Sequence, residues 1–269
     1  MLHDSSGSIV ALLHVHVENE IAVSPLRSPY GSILFSKKLT PDLLTQFVLF
    51  VEGGLKHRIK KIQLKNSPEI YSPDENELLR NSLEALGYES TAETSAVIPV
   101  TTDKFESILH HSARKRLRKC KDAGLVFSQQ PRQNLESVYQ VLKDWREQKG
   151  YSLSMSLEEL KKVTGIFPDV FFLTAVMDKD RLVAANISVQ VNSRVLYNFY
   201  HDHDAEYDSF SPVVLLNEGL YMFCQQRALK LLDLGTSQID GKLNESLFNF
   251  KLKLGAQPSN KFTFVKTLS

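Results

Sequence analysis

The chain is poor in cysteine, with Cys120 and Cys224 far apart and no others among 269 residues. Such sparse usage excludes a disulfide framework and fits a reducing compartment. Long apolar runs are missing as well. None reaches the ~18 residues of a membrane-spanning helix, so no integral membrane association is expected. Near the N-terminus stand His3 and Asp4 rather than a basic segment leading into an apolar one. No signal peptide is therefore read, and a cytoplasmic protein is expected. Charge of one sign is absent in bulk: 32 Lys and Arg face 31 Asp and Glu, a net charge of +1. Binding a polyanion would need a local patch. G-x-S-x-G, Walker and dinucleotide fingerprints are all absent.

What is present is ordinary globular composition, 42% hydrophobic and 23% charged, enough to bury a core. The length suits one large domain or two small ones. One internal echo stands out. Asn76–Gly87 (NELLRNSLEALG) and Asn244–Gly255 (NESLFNFKLKLG) align without a gap at an offset of 168, with six of twelve positions identical. Two amphipathic helices ending in Leu-Gly could look alike by chance, because Asn at a helix start and Gly past its end are general capping choices. The flanking pattern repeats too, which favours one supersecondary unit used twice.

Periodicity supplies the elements. Ile9 to Val17 and Ile21 to Val23 read as a hairpin around Glu18-Asn19-Glu20. A helix follows over Pro41 to Leu55, with Leu44, Phe47, Val48 and Val51 on one face. Ile59 to Leu64 is a short strand, Asp74 to Leu86 the first repeated helix, and Ser95 to Val100 a closing strand. From Thr101 the chain turns helical and basic, with Phe105, Leu109, Ala113, Leu117 and Cys120 on one stripe. After a strand at Leu125 to Ser128 come helices marked by Leu135 to Trp145 and Ser156 to Ile166. Next is a three-strand meander (Val170 to Met177, Leu182 to Val191, Val195 to His201), then a long helix from Pro212 to about Ala228. Leu231 to Leu234, the second repeated helix and Lys261 to Val265 complete the chain. Meanders mixed with helix crossovers predict an α+β fold with mixed sheets, divided as 1–100 and 101–269.

Several places could carry chemistry. Ser211 and Pro212 suit the N-cap and first position of the long helix, leaving the N–H groups of Val213 and Val214 to face an anion. Against this, the loop before it carries Asp202, Asp204, Glu206 and Asp208 without Gly, Lys or Arg. Asp233 interrupts an apolar strand and must be paired or face a cleft, and Gly235, Thr236 and Ser237 make a polar strand end beside it. Lys251 replaces the Leu83 of the first repeat copy; a solvated face would explain it equally well. Arg114 to Lys121 holds six cations in eight residues, an anion patch or a solvated face. His14 with His16, and His201 with His203, would each share a strand face, but no matching distant ligand motif accompanies them, so no metal is expected. Cys120 and Cys224 read as core residues.

The run Tyr207-Asp208-Ser209-Phe210-Ser211-Pro212, a long helix, Asp233-Leu234-Gly235 and Phe250-Lys251-x-x-x-Gly255-Ala256 resembles the Fem-like branch of the GNAT-fold acyltransferases. That branch includes aminoacyl-tRNA-dependent peptidoglycan transferases and a BioF2-like acetyltransferase group. Ser112 to Phe127 resembles the basic helix leading into the catalytic half, and SPYGSI near the N-terminus its Ser-Pro-x-Gly turn. The resemblance implies two GNAT-like halves packed together, the first possibly trimmed, and transfer of an acyl or aminoacyl group to an amine. It implies that Lys251 stabilises donor phosphate or developing charge; for the base that direct transfer needs, Asp233 and His201 are the candidates, His201 for its reference pKa near ~6.5. Ser211 to Val214 would stand for a degenerate pyrophosphate loop, since the Gly-rich coenzyme A loop is absent. The acceptor cleft would be lined by Tyr30, Asn198, Tyr200, Ser237 and Asp233, and Arg114, Arg116, Arg118 and Lys119 would form the anion patch.

The expectation is thus a cytoplasmic N-acyltransferase without a tightly bound cofactor. Acyl-CoA or aminoacyl-tRNA would be the donor, and a cell-wall peptide or amino sugar the acceptor. One rival is a binding module with a decayed donor site whose basic helix holds an anionic partner such as tRNA. Another is a metal enzyme at the paired histidines.

Overall fold

The computed structural model of the chain describes residues 1–37, 39–239 and 241–268. Its contacts divide the chain into two units, Met1–Ser95 with Ser259–Ser269, and Ala96–Pro258. The chain crosses back at its end, so the division differs from the expected 1–100 and 101–269.

In the first unit, strands β1 (Leu2–His3), β2 (Ile9–Leu13), β3 (His16–Glu18), β4 (Ile21–Ser24) and β5 (Ile33–Phe35) come first. Helix α1 (Pro41–Leu55), β6 (Lys61–Lys65), α2 (Pro73–Ala85) and β7 (Glu89–Pro99) follow. The expected hairpin is shorter than predicted. β3 and β4 pair around Asn19 and Glu20, both at positive φ, while β2 pairs with β1 and β5 in a separate sheet. The break falls at His14 and Val15. Thr40 caps α1 by accepting from the Leu43 N–H, and Leu44, Phe47 and Val48 point into the core. That core also holds Leu79, Leu83 and Phe264.

The second unit contains α3 (Phe105–Ile108), α4 (His111–Asp122), β8 (Val126–Gln130), α5 (Leu135–Gln148) and α6 (Leu157–Ile166). Then come the meander β9 (Phe171–Asp178), β10 (Arg181–Gln190) and β11 (Val195–His203), and the long helix α7 (Pro212–Gln226). β12 (Leu231–Thr236), the small hairpin β13 (Gln238–Ile239) and β14 (Lys242–Leu243), and α8 (Glu245–Lys253) follow. β15 (Gln257–Thr267) then returns to the first unit, where it pairs antiparallel with β6 from Thr263 to Thr267. The sheet of the second unit runs from the end of β7 through β12, β11, β10 and β9 to β8. Its pairs are antiparallel from β8 to β11 and parallel between β11 and β12. Helices α4 and α7 share one core with Leu117, Cys120, Leu216 and Leu220, and α5 and α6 share another with Leu142, Leu160 and Ile187. The fold is α+β with mixed sheets, as the alternation of meander and crossover predicted.

The repeated helices are α2 and α8. Each ends in a glycine at positive φ, Gly87 at 83° and Gly255 at 87°, and each leads into a long strand. They begin differently. Asn244 caps α8 by accepting the Leu247 N–H at 3.0 Å. Asn76 lies inside α2, which starts a turn earlier, and donates to the Ser72 carbonyl at 3.1 Å. Leu83 and Lys251, at matching positions, are both buried.

Candidate functional site

The site forms where two parallel strands stop pairing. β11 and β12 register Val195 with Leu231, Leu196 with Leu232 and Tyr197 with Asp233. Beyond that point β11 follows β10, while β12 turns at Gly235, whose φ is 74°. The Asp233 carboxylate accepts the Gly235 N–H at 2.7 Å. A cavity of about 980 Å³ lies at these diverging ends, lined by Asn198 and His201 on one strand and Leu234, Gly235 and Thr236 on the other. Ends of parallel strands are where open sheets hold ligands.

Lys251 reaches the cavity from the last turn of α8. Its side chain is buried, and Nζ donates to the carbonyls of Gly235 at 3.0 Å and Thr236 at 2.8 Å. An ammonium has three donors, so one remains for the cavity. Loss of water pushes Lys251 down to about 8, with the Asp233 carboxylate pulling the other way. The group is charged at neutral pH but easily discharged.

His201 lines the same space. Burial, and then the charge of Lys251, push its imidazole down to about 4. At neutral pH it is uncharged and has a lone pair to offer. A β-bulge puts it there. Tyr200 pairs with Ile187 and Asn198 with Ser188, leaving Phe199 as the extra residue. Side chains on a regular strand alternate, which would put Asn198 and Tyr200 on one face. The bulge reverses that alternation and groups His201 with Asn198. Tyr200 turns to the α5 side, where its hydroxyl meets Ser154 Oγ at 2.6 Å and the Met155 N–H at 2.9 Å. It does not line the cavity, contrary to expectation.

The other expected residues scatter. Asp233 is 1% exposed, is spent on the Gly235 N–H, and is not part of the cavity wall; its influence passes through Lys251 and the turn. Ser237 is buried outside the wall, with an unpartnered hydroxyl. Asn198 is in the wall. Its side-chain oxygen accepts from Asn186, while its nitrogen has no acceptor. Tyr30 belongs to the first unit, where its ring meets Tyr71 edge-on at 5.5 Å.

Ser211 is not the expected side-chain cap. It sits in the left-handed region at φ 56°, and its carbonyl accepts the Val214 N–H at 3.0 Å. A tight first turn therefore consumes one of the two donors proposed for an anion. Val213 and Ser211 line the cavity, whereas Val214 lies in the core. A cation stands at this helix start: Arg116 donates to Ser211 Oγ at 3.1 Å. The basic helix α4 is accordingly split. Arg116 faces the cavity, Arg114 is tied to the carbonyls of Glu106 and Leu109, and Lys119 donates to the Ser209 carbonyl at 2.7 Å. Arg118 is exposed.

Sequence reasoning missed Arg146, Lys149 and Lys253, which also line the cavity. Arg146 and Lys149 come from the end of α5, three residues apart, a spacing that could have marked them. Each carboxylate of the acidic loop that counted against an anion site is engaged by a neighbouring side chain. Asp202 pairs with Lys149, Asp204 and Glu206 with Arg181, and Asp208 with His203. Around the cavity five cations, Arg116, Arg146, Lys149, Lys251 and Lys253, outnumber two carboxylates, Asp202 and Asp208. Both carboxylates are already paired, so the net field favours an anionic ligand. Among the described residues no group of three His, Cys, Asp or Glu side chains gathers to hold a metal. Both cysteines are buried, and burial raises their thiols to about 11 for Cys120 and about 12 for Cys224.

No protein-family model matches the chain, and no curated protein does. Solved structures do. FemX superposes with a TM-score of 0.70 at 11% identity, covering 90% of this chain and 82% of its own. The C-terminal domain of a putative lysylphosphatidylglycerol synthetase from Agrobacterium fabrum gives 0.65 at 13%, covering 98% and 82%. A tandem GNAT protein from the clavulanic acid biosynthesis pathway gives 0.52 at 11%, covering 99% and 81%. At such identities the likeness shows the fold alone: the chain carries a tandem GNAT fold, which FemX shares.

Proposed function

We propose that the chain is an acyltransferase, moving an acyl or aminoacyl group from an anionic donor to an amine. The single observation that carries this reading is Lys251. A charged group is buried at the parting of β11 and β12, held by two carbonyls, beside the neutral His201 and inside a cation-rich cavity. The fold supports it, since a protein named as a GCN5-related N-acetyltransferase and the C-terminal domain of a putative lysylphosphatidylglycerol synthetase share it.

The reaction assigned to these groups is direct transfer in a ternary complex. The neutral amine attacks the acyl carbonyl, and an N–C bond forms. The C–S bond of a thioester, or the C–O bond of a charged tRNA, then breaks. The proton released by the nitrogen passes to His201, and the imidazolium so formed passes it on to the leaving thiolate or alkoxide. The third Lys251 N–H meets the oxygen on which negative charge develops. Arg116 and Lys253 bind phosphate of the donor. Acyl-CoA and aminoacyl-tRNA both carry such phosphates, and the acceptor is an amine such as a peptide or amino-sugar nitrogen.

A thermal-shift screen with acetyl-CoA, longer acyl-CoAs, free coenzyme A and charged tRNA tests this, because a ligand that binds the folded state raises its apparent stability. At least one donor is expected to raise Tm, and to transfer its label to an amine. Absence of any shift and any transfer would leave the binding-module reading in its place.

A further inference from the structure

The bulge that turns His201 into the cavity is held by a side chain outside the cavity wall. Asn186, in the middle of β10, has no exposed surface and does not line the space. In the ladder it stands opposite Thr174 of β9 and opposite His201 of β11. Its amide nitrogen donates to the side-chain oxygen of Asn198 and to the Tyr200 carbonyl, the latter at 3.1 Å. Those two acceptors flank Phe199, the extra residue of the bulge. Its amide oxygen accepts from the Thr174 hydroxyl at 3.2 Å. A backbone carbonyl only accepts, so the group facing Tyr200 is the nitrogen, and the two donors of the amide are both used.

Thr174, Asn186 and Asn198 thus form a polar row across three strands, all buried. The flanking residues of β10 are apolar: Ala184 belongs to the core under α4 and α7, Ala185 and Ile187 to the one under α5 and α6. A β-branched apolar side chain would suit position 186 better by strand preference alone. A buried amide with every bond made instead specifies one local arrangement. The competing arrangement is definite. With no extra residue, pairing would run on regularly past Asn198, and a shift of one residue moves every later side chain to the other face. Tyr200 would then share the cavity face with Asn198, and His201 would turn to the α5 side. At a bulge the ladder of backbone bonds is interrupted, and here Asn186 supplies a bond to the carbonyl just past the extra residue.

We propose that Asn186 is the positioning residue for His201: its amide clamps both sides of the Phe199 bulge and so keeps the imidazole on the cavity face. It meets neither donor nor acceptor and acts only through His201. The catalytic consequence rests on the acyltransferase reading, whereas the pinning of the ring does not.

The test is an NMR titration of the His201 ring in the full chain, with and without Lys251→Met, in wild type and in Asn186→Leu. Leucine is close to asparagine in shape and has neither donor. Asn186→Ser, whose hydroxyl has a single hydrogen to donate, is read in its place should Asn186→Leu not unfold cooperatively. In wild type, Lys251→Met is expected to raise the His201 midpoint, because the ammonium acts on the imidazole. In the Asn186 variant the same replacement should leave the midpoint nearly unmoved, because the ring has left the cavity. Transfer measured alongside should lose about 10²-fold in kcat, the effect of a misplaced reacting group, with the donor KM unchanged. An undiminished response to Lys251→Met in the Asn186 variant overturns the proposal whatever happens to kcat, and so does the absence of a response in wild type. A lost response with kcat intact keeps Asn186 as the pin and removes His201 as the base. No transfer by the wild type sinks the acyltransferase reading and leaves the titration to decide this one.

Discussion

At the scale of single residues, the site depends on two groups whose charges are set by loss of water, with Asp233 also acting on Lys251 and Lys251 on His201. His201 is held to about 4, in part by the ammonium of Lys251. Its ring resonances in an NMR titration should move near pH 4 and stay flat through the ordinary histidine range. Lys251→Met removes the opposing charge, so the His201 midpoint should rise. A midpoint near ~6.5 in the wild type, the value of a free imidazole, would deny it a poorly solvated place coupled to the Lys251 charge. His201→Gln should lower transfer by about 10²–10⁴-fold, the usual range for general acid–base catalysis, with the protein still folded. Lys251 was legible in the sequence because the repeat put it opposite Leu83. Its burial was not, because Lys is seldom buried and nothing local tells which carbonyls will receive it. Asp233 was read as needing a partner, and it has one in the Gly235 N–H. Tyr200 was misplaced for a specific reason. The resemblance put it in the acceptor cleft, but the bulge at Phe199 turns it away, and a bulge leaves no signature in residue types.

At the scale of elements, the helices and strands were readable from period and capping. α1 matches its prediction from Pro41 to Leu55, and the meander falls within a residue or two of its expected spans. The parting of β11 from β12 was not readable, because pairing beyond Tyr197 and Asp233 is decided by tertiary neighbours. The two repeat glycines offer a direct comparison. Both sit at positive φ, but a methyl at Gly87 meets open space while one at Gly255 meets Ile108 at 3.0 Å. Gly87→Ala should cost about 1–2 kcal/mol from the backbone alone. Gly255→Ala should cost that plus about 1–3 kcal/mol of crowding. Urea unfolding checks the ordering, and equal losses would show that α3 yields easily. Packing of α7 on β8 is tighter still. A methyl on Gly219 would lie 2.1 Å from the Phe127 ring, so Gly219→Ala should be the more destabilising change in the second unit. A Tm equal to wild type would mean that the ring can swing away.

At the scale of the whole molecule, β15 decides how the chain divides. Phe264 is a fully buried member of the first core, and Lys266 pairs with Glu52 on α1. A fragment ending at residue 100 should therefore lack cooperative unfolding, and linking residues 259–268 to it should restore a transition. The fragment's folding cooperatively by itself would contradict the assignment of β15 to the first core. No helix among the described residues is long and apolar enough to cross a membrane. Duplication explains why one copy of the repeated helix carries a core leucine and the other a buried cation: the first closes a hydrophobic core, and the second turns toward a cavity. The claim that this cation does chemistry is most directly tested by the ratio of wild-type to Lys251→Met transfer rates as a function of pH. Taking the ratio cancels the titration of the amine. Below pH ~7 it should be about 10²–10³, the loss typical of one oxyanion donor. It should fall toward one as Lys251 discharges above about 8. A ratio near one at neutral pH, or one that does not change across that range, would contradict the account.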